Sequence, residues 1–102
     1  MKKIKLMPDY GCFPIWGMED DNFGNIDPYS LLISKSLAEE LLEWAHKYDK
    51  TLNIDEPLNS RFENIEKENI FKYEGEKLFN KLKLELGDQY TVLYSRIWLF
   101  DM

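Results

Sequence analysis

The sequence predicts a single two-layer α/β domain of the α+β type, in which a small sheet of three or four strands has two helices packed on one face. Three observations predict this fold class. The chain has 102 residues, a length that fits one domain and leaves no room for a second. Two long segments repeat apolar residues at helical spacing, and two shorter segments alternate apolar with polar residues, as strands do. We therefore treat residues 1–102 as one domain.

The first predicted strand covers residues 3–7. Ile4 and Leu6 point to one side of this strand and the lysines next to them to the other, because successive side chains in a strand alternate. Pro8 ends the strand, since proline cannot donate a hydrogen bond to a central ladder. We expect the core to lie on the side of the two apolar residues.

Residues 9–34 form a long stretch that glycine and proline interrupt repeatedly and that is rich in aromatic rings. Within this stretch, residues 13–16 predict a short second strand. Asp27 and Pro28 predict the start of a helical turn, with the aspartate as its cap and the proline at its first position. A loop of this length and aromatic content either folds back on the core or forms a binding surface.

The first predicted helix covers about residues 35–50. Ser34 can cap it, and Ser36 can also do so, with Glu39 three residues later to complete a capping box. One apolar stripe runs along this helix, and it consists of Leu37, Leu41, Ala45 and Tyr48.

The second predicted helix covers about residues 65–86, with Asn64 as its cap. Its apolar face consists of Phe71, Leu78, Leu82 and Leu86. Gly75 falls on the same face, where glycine costs about 1 kcal/mol relative to alanine, so we expect another part of the chain to approach the helix closely there. We expect Gly87 to end the helix in the left-handed conformation.

Residues 89–95 form the strongest predicted strand, because aromatic and β-branched residues alternate along it. Residues 96–100 continue the same pattern without a turn signal, so we expect one long strand or a strand with a bend. This strand is expected to pair with residues 3–7. The predicted core consists of Ile4, Leu6, Leu37, Leu41, Ala45, Phe71, Leu78, Leu82, Val92 and either Tyr94 or Leu93.

The composition restricts the class of function. A formal net charge of -6 argues against a generic nucleic-acid-binding protein, which needs a cationic face, and it suits a basic partner. A single cysteine excludes a disulfide framework and suggests a reducing compartment. No apolar run approaches the length of about 20 residues that spans a bilayer. These features predict a cytoplasmic protein.

No strong catalytic motif is present, and the sequence predicts neither a metal site nor a cofactor. Cys12 and His46 are the only cysteine and histidine. A small enzyme that uses this pair or the acidic residues remains the rival hypothesis, although a nucleophilic pair needs spatial contact and a third orienting group. The acidic residues from 19 to 27 do not have the spacing of a calcium-binding loop.

Three segments resemble a family of small bacterial cytosolic proteins: LMPDYGCFPIW at residues 6–16, GNIDP at residues 24–28, and WAHKYDKTLN at residues 44–53. Some members of this family are similar to immunity proteins encoded beside polymorphic toxins, including those of contact-dependent growth inhibition. The resemblance spans most of the chain and implies a protein that binds and blocks a toxin domain, with no catalytic residues of its own. An acidic inhibitor suits a basic, nuclease-type toxin, because charge complementarity accelerates the encounter.

We expect the toxin to bind where an anchor ring and a cluster of carboxylates share a broken segment of chain. The predicted partner-binding residues are Trp16, Glu19, Asp20, Asp21, Asp27, Asp55 and Glu56. Tyr10 and Phe13 are instead expected to cover the open end of the core. The alternative is that Trp16 is a core residue and that the carboxylates are merely solvated. If the loop does not bind, residues 96–100 are the next candidate site. A third hypothesis is a regulatory or structural subunit, and we expect a monomer or a weak dimer.

Overall fold

The computed structural model describes residues 2–53, 55 and 61–95, and it confirms the predicted α+β domain. Its regular elements are β1 (Lys2–Leu6), β2 (Ile15–Gly17), β3 (Gly24–Ile26), α1 (Lys35–Asp49), α2 (Ile65–Leu86) and β4 (Tyr90–Tyr94). Two short 3₁₀ turns, Pro28–Ser30 and Gly87–Gln89, precede α1 and β4 respectively. Both predicted helices are therefore present, and α2 has the bounds that the sequence predicts.

The four strands form one mixed sheet in the order β3-β2-β1-β4. β1 pairs antiparallel with β2 and parallel with β4, so that Ile4 lies opposite both Gly17 and Val92. This confirms the expected pairing of the first strand with the C-terminal one. A parallel pair needs a long crossover, and the two helices lie within the segment that connects these strands.

Both helices cover the same face of the sheet, as predicted. Tyr94 of β4 lies between them: its ring meets the Trp44 ring of α1 edge-on at 6.3 Å, and its hydroxyl faces the Lys72 carbonyl of α2. Trp44 is almost fully buried, stacks on Phe71 with ring centroids 4.6 Å apart, and donates its indole N–H to the Phe71 carbonyl at 2.9 Å. The predicted core residues are all buried, with Tyr94 rather than Leu93 on the covered face.

The predicted caps explain where the helices begin. The Ser34 hydroxyl accepts a hydrogen bond from the Leu37 N–H at 3.1 Å, so Ser34 rather than Ser36 caps α1. The Asn64 side chain accepts from the Lys67 N–H at 2.9 Å. These contacts satisfy backbone donors that have no partner within a helix.

Gly75 lies where α2, α1 and β4 come together. A Cβ atom there would lie 2.7 Å from a ring carbon of Trp44 and would collide with the Tyr94 hydroxyl, which confirms the predicted close approach. Gly87 has φ 65° and ψ -148°. The positive φ agrees with the sequence prediction, but the ψ value does not. Gly87 adopts an extended conformation with positive φ, which is open to glycine, and not the left-handed helical conformation.

Three other expectations need correction or lie outside the described residues. β3 is a strand that the sequence does not predict, because Gly24–Ile26 contains glycine and lacks alternation. Phe13 does not cover the core, since 39% of its surface is exposed, whereas Tyr10 stacks on Tyr48 as expected. The predicted continuation of the last strand over residues 96–100 lies outside the described residues.

Candidate partner-binding surface

The turn between β2 and β3, residues 18–23, carries three of the predicted contact residues in a fixed conformation. The Asn22 N–H donates to the Glu19 carbonyl at 3.1 Å, and the Asn22 side chain accepts from the Glu19 N–H at 3.1 Å. The Asn22 carbonyl lies against Gly17, where a Cβ atom would collide with it. Asp20 and Asp21 at the tip are exposed. The turn therefore presents its carboxylates from a preorganised backbone.

An exposed phenyl ring projects from the same turn. Phe23 is 80% exposed, and Met18 at the other side of the turn is 39% exposed. The sequence analysis does not include Phe23 in the contact surface, although polar residues at both strand-spaced positions, Asp21 and Asn25, are a signal for exposure. An exposed phenyl ring is a candidate anchor, because aromatic residues are enriched in protein interfaces.

Trp16 lies on the face of the sheet that the helices leave open. A row of paired positions crosses this face, formed by Leu93, Lys5, Trp16 and Asn25. The Trp16 ring is half-buried, and its indole N–H donates to the Met7 carbonyl at 3.1 Å. Trp16 is therefore not part of the helix-covered core, and part of its ring is available for contact.

Asp27 lies at the other end of β3 from the acidic turn. Asp27 follows Ile26, which pairs with Ile15, whereas the acidic turn follows Gly17. Asp27 accepts a hydrogen bond from the Tyr29 N–H at 2.9 Å and caps the 3₁₀ turn, as predicted.

Asp55 is exposed in the connection that follows α1. The C-terminal end of α1 contacts the loop after β1, where the Gly11 N–H donates to the Asp49 carboxylate at 3.0 Å. The acidic turn lies instead beside the start of β1, because Met18 donates to the Lys3 carbonyl. The structure therefore separates residues 19–21 from Asp27 and Asp55, and the indole N–H of Trp16 bonds to Met7 at the end of β1 that lies away from the acidic turn. Glu56 lies outside the described residues.

Cys12 and His46, the pair of the rival enzyme hypothesis, line one shallow pocket of about 240 Å³ together with Asp49. The described residues include no hydrogen bond between the thiol and the imidazole; the Cys12 thiol instead faces the Tyr10 carbonyl at 3.5 Å. Burial raises the pKa of the Cys12 thiol, and the carboxylates of Asp9 and Asp49 raise it further. A nucleophilic cysteine needs the opposite shift.

The part of the chain that the structure describes contains no group of three or more histidine, cysteine, aspartate or glutamate side chains placed to hold a metal ion. None of its helices combines the length and the apolar character needed to cross a membrane. Trp16 and the β2–β3 turn remain candidate contacts for a protein partner.

Comparison with known protein families gives a match over residues 2–96 to the family described as Serratia CdiI immunity protein-like. This chain belongs to that family. The match covers every described element of the sheet and both helices. A comparison with curated proteins finds no match. Membership of the CdiI-like family supports an immunity role and agrees with the resemblance noted in the sequence.

Proposed function

We propose that this protein is an immunity protein that neutralises a cognate toxin domain of contact-dependent growth inhibition by tight non-covalent binding. The family match over residues 2–96 carries the proposal. The toxin domain is basic and of the nuclease type, because an inhibitor with a net charge of -6 attracts a cationic active site. The inhibitor performs no catalysis and acts in the cytoplasm, where an incoming toxin meets its target.

The toxin contact combines the carboxylates of the β2–β3 turn with the ring of Trp16. The turn supports this proposal because its backbone is fixed by two hydrogen bonds, so little conformational entropy is lost on binding. Glu19, Asp20 and Asp21 attract lysine and arginine side chains of the toxin, and Trp16 fills a pocket. We propose Asp27, Asp55 and Glu56 as further contacts; Asp27 joins the contact only if the toxin also reaches the other end of β3.

Co-expression with the toxin encoded beside this protein tests the proposal. We expect a stable complex that co-purifies and in which toxin activity is lost. A toxin that remains active in the presence of excess protein, with no complex formed, contradicts the proposal and favours a regulatory or structural subunit.

Charge reversal tests the turn. The triple variant Glu19→Lys, Asp20→Lys, Asp21→Lys is expected to bind the toxin with a slower association rate and a weaker dependence on salt, because exposed charges act mainly on the encounter. The matched control is the triple variant Glu39→Lys, Glu43→Lys, Glu66→Lys, which makes the same change in net charge at exposed positions on the two helices. Equal association rates for the two variants show that only net charge matters.

Truncation of the ring tests the anchor. Trp16→Ala is expected to weaken toxin binding by about 2 kcal/mol through faster dissociation. Tyr29→Ala is the control, since its ring is also exposed but lies in the 3₁₀ turn at the other end of the sheet. An unchanged dissociation rate of the Trp16 variant places the contact elsewhere, for example at residues 96–100.

The rival enzyme hypothesis makes a separate prediction. Cys12→Ala and His46→Ala are expected to leave protection against the toxin unchanged. The Cys12 thiol is expected to react with iodoacetamide more slowly in the folded protein than in the denatured chain, since its raised pKa lowers the thiolate fraction at neutral pH. Loss of protection in either variant, with normal folding, supports the enzyme.

A further inference from the structure

A groove of about 560 Å³ lies between the C-terminal end of α1 and the N-terminal end of α2, and we call it the α1–α2 groove. Its lining consists of Lys47, Lys50, Thr51, Arg61, Phe62, Glu63, Lys67, Ile70, Phe71 and Glu74. Four of these side chains are cationic and two are anionic, so the groove is a basic region on an acidic protein. Its volume is typical of a cleft that receives a ligand group.

Two of the cations are available to an incoming anion. Lys47 forms an ion pair with Glu74 at 2.8 Å, and Lys67 donates to Glu63, which lowers the pKa of that carboxyl. Within the described residues, the side chains of Lys50 and Arg61 form no ion pair. The backbone holds both in place, because the Arg61 N–H donates to the Thr51 carbonyl at 3.1 Å and Lys50 caps α1.

The groove also has an apolar floor. Phe71 is almost fully buried, and Phe62 packs against it with ring centroids 5.0 Å apart. Ile70 on the rim is 59% exposed. A ligand that fits this groove therefore carries an apolar group for the floor and carboxylates for Lys50 and Arg61.

The β2–β3 turn of this same protein has that chemistry. It presents a phenyl ring that is 80% exposed, Phe23, next to the exposed carboxylates of Asp20 and Asp21. It cannot reach the groove of its own chain. Thr51 in the groove bonds to Tyr10 beyond the end of β1, whereas the turn lies beside the start of that strand.

We propose that the α1–α2 groove of one copy binds the β2–β3 turn of a second copy. Phe23 contacts the apolar floor, and Asp20 and Asp21 face Lys50 and Arg61. The contact is head-to-tail, so it leaves a free turn and a free groove at the two ends of each pair. It is weak and reversible, because a six-residue turn buries much less than the roughly 1,200 Å² typical of a stable interface.

This self-association requires no toxin, so its test is independent of the proposed function. Sedimentation velocity of the full chain over a wide concentration series is expected to show an average mass that rises reversibly above that of the 12.2 kDa monomer. The groove variant Lys50→Glu, Arg61→Glu and the turn variant Asp20→Lys, Asp21→Lys are each expected to remain monomeric. The control Lys35→Glu, Lys83→Glu makes the same charge change as the groove variant outside the groove and is expected to associate like the wild type.

Mixing the two variants provides the decisive measurement. The turn variant keeps the native groove and the groove variant keeps the native turn, and the acidic groove of the one also complements the basic turn of the other. The mixture is therefore expected to associate although neither variant associates alone. Phe23→Ala is expected to weaken association without lowering the melting temperature, because the ring is exposed in the monomer. A wild-type mass that stays monomeric at all concentrations overturns the proposal, and so does a mixture of variants that does not associate.

Discussion

The two faces of the sheet differ in how deeply their side chains are buried. On the face covered by the helices, Ile4, Leu6 and Ile15 have no exposed surface at all. On the open face, the intervening positions Lys5 and Trp16 remain partly accessible. Alternate residues of the same short strands therefore pack against the helices on one side and remain partly accessible on the other. The comparison implies that substitutions one position apart have different consequences.

The two tryptophans on opposite sides of the sheet test this contrast most directly. Trp44→Ala is expected to lower the free energy of unfolding by about 4 kcal/mol, because it empties a fully packed site and removes the hydrogen bond to the Phe71 carbonyl. Urea denaturation measures the loss. A decrease no larger than that of Trp16→Ala contradicts the division between a core face and an open face.

Gly75→Ala examines the packing on the covered side. Alanine is the better helix former by about 1 kcal/mol, but its Cβ collides with the Tyr94 hydroxyl and the Trp44 ring. We expect a net loss of about 2 kcal/mol in the free energy of unfolding, since close-packed rings cannot shift freely. Asn80→Ala, at an exposed position of the same helix, is the control and is expected to be neutral or slightly stabilising. Stabilisation by Gly75→Ala contradicts this expectation and means that the Trp44 and Tyr94 rings can shift to accept the added Cβ.

Substitution of the capping serine at the start of α1 is expected to lower the free energy of unfolding by an intermediate amount. Ser34→Ala is expected to cost about 1 kcal/mol, because it removes the cap on the Leu37 N–H and the hydroxyl that donates to the Glu85 carboxylate at 2.9 Å. Ser36→Ala is the control and is expected to leave the thermal midpoint unchanged. Equal losses in the two variants contradict the assignment of the cap.

The smallest effect on stability is expected for Trp16→Ala. Its ring is only half-buried, so the free energy of unfolding is expected to fall by less than about 1 kcal/mol. Thermal and urea denaturation of this variant, measured beside toxin binding, separate a contact residue from a core residue. A loss comparable to that of Trp44→Ala means that the open face is as important for packing as the covered one.

The helices could be predicted closely because their signals are local. Asn64 and Gly87 bracket α2 in the sequence, and both act at its ends in the structure. β3 could not be predicted, because its support comes from distant residues: the Asn25 amide donates to the Phe13 carbonyl at 2.7 Å and to the Ile15 carbonyl at 3.1 Å. Pairing across a sheet is a tertiary contact that short-range preference does not encode.

Sequence alone was equally limited in predicting which residues of the candidate site lie close together. The sequence groups Trp16 with residues 19–21 because only two residues separate them along the chain, but the Trp16 indole bonds to Met7 at the other end of β1 from the acidic turn. The sequence also groups Asp27 and Asp55 with them on the basis of charge alone. The register of β2 with β3 puts Asp27 at the opposite end, which depends on a strand that the sequence does not reveal.

The parallel pairing of β1 with β4 has a consequence for how the protein folds. Lys2 lies opposite Tyr90, so the central strand obtains its second neighbour only after nearly the entire described chain has been synthesised. Contacts between residues so far apart in sequence slow folding, because a long loop must close before they form. We therefore expect α1 and α2 to associate first and the sheet to be completed last, so that a newly made copy gains its open face in the final step of folding.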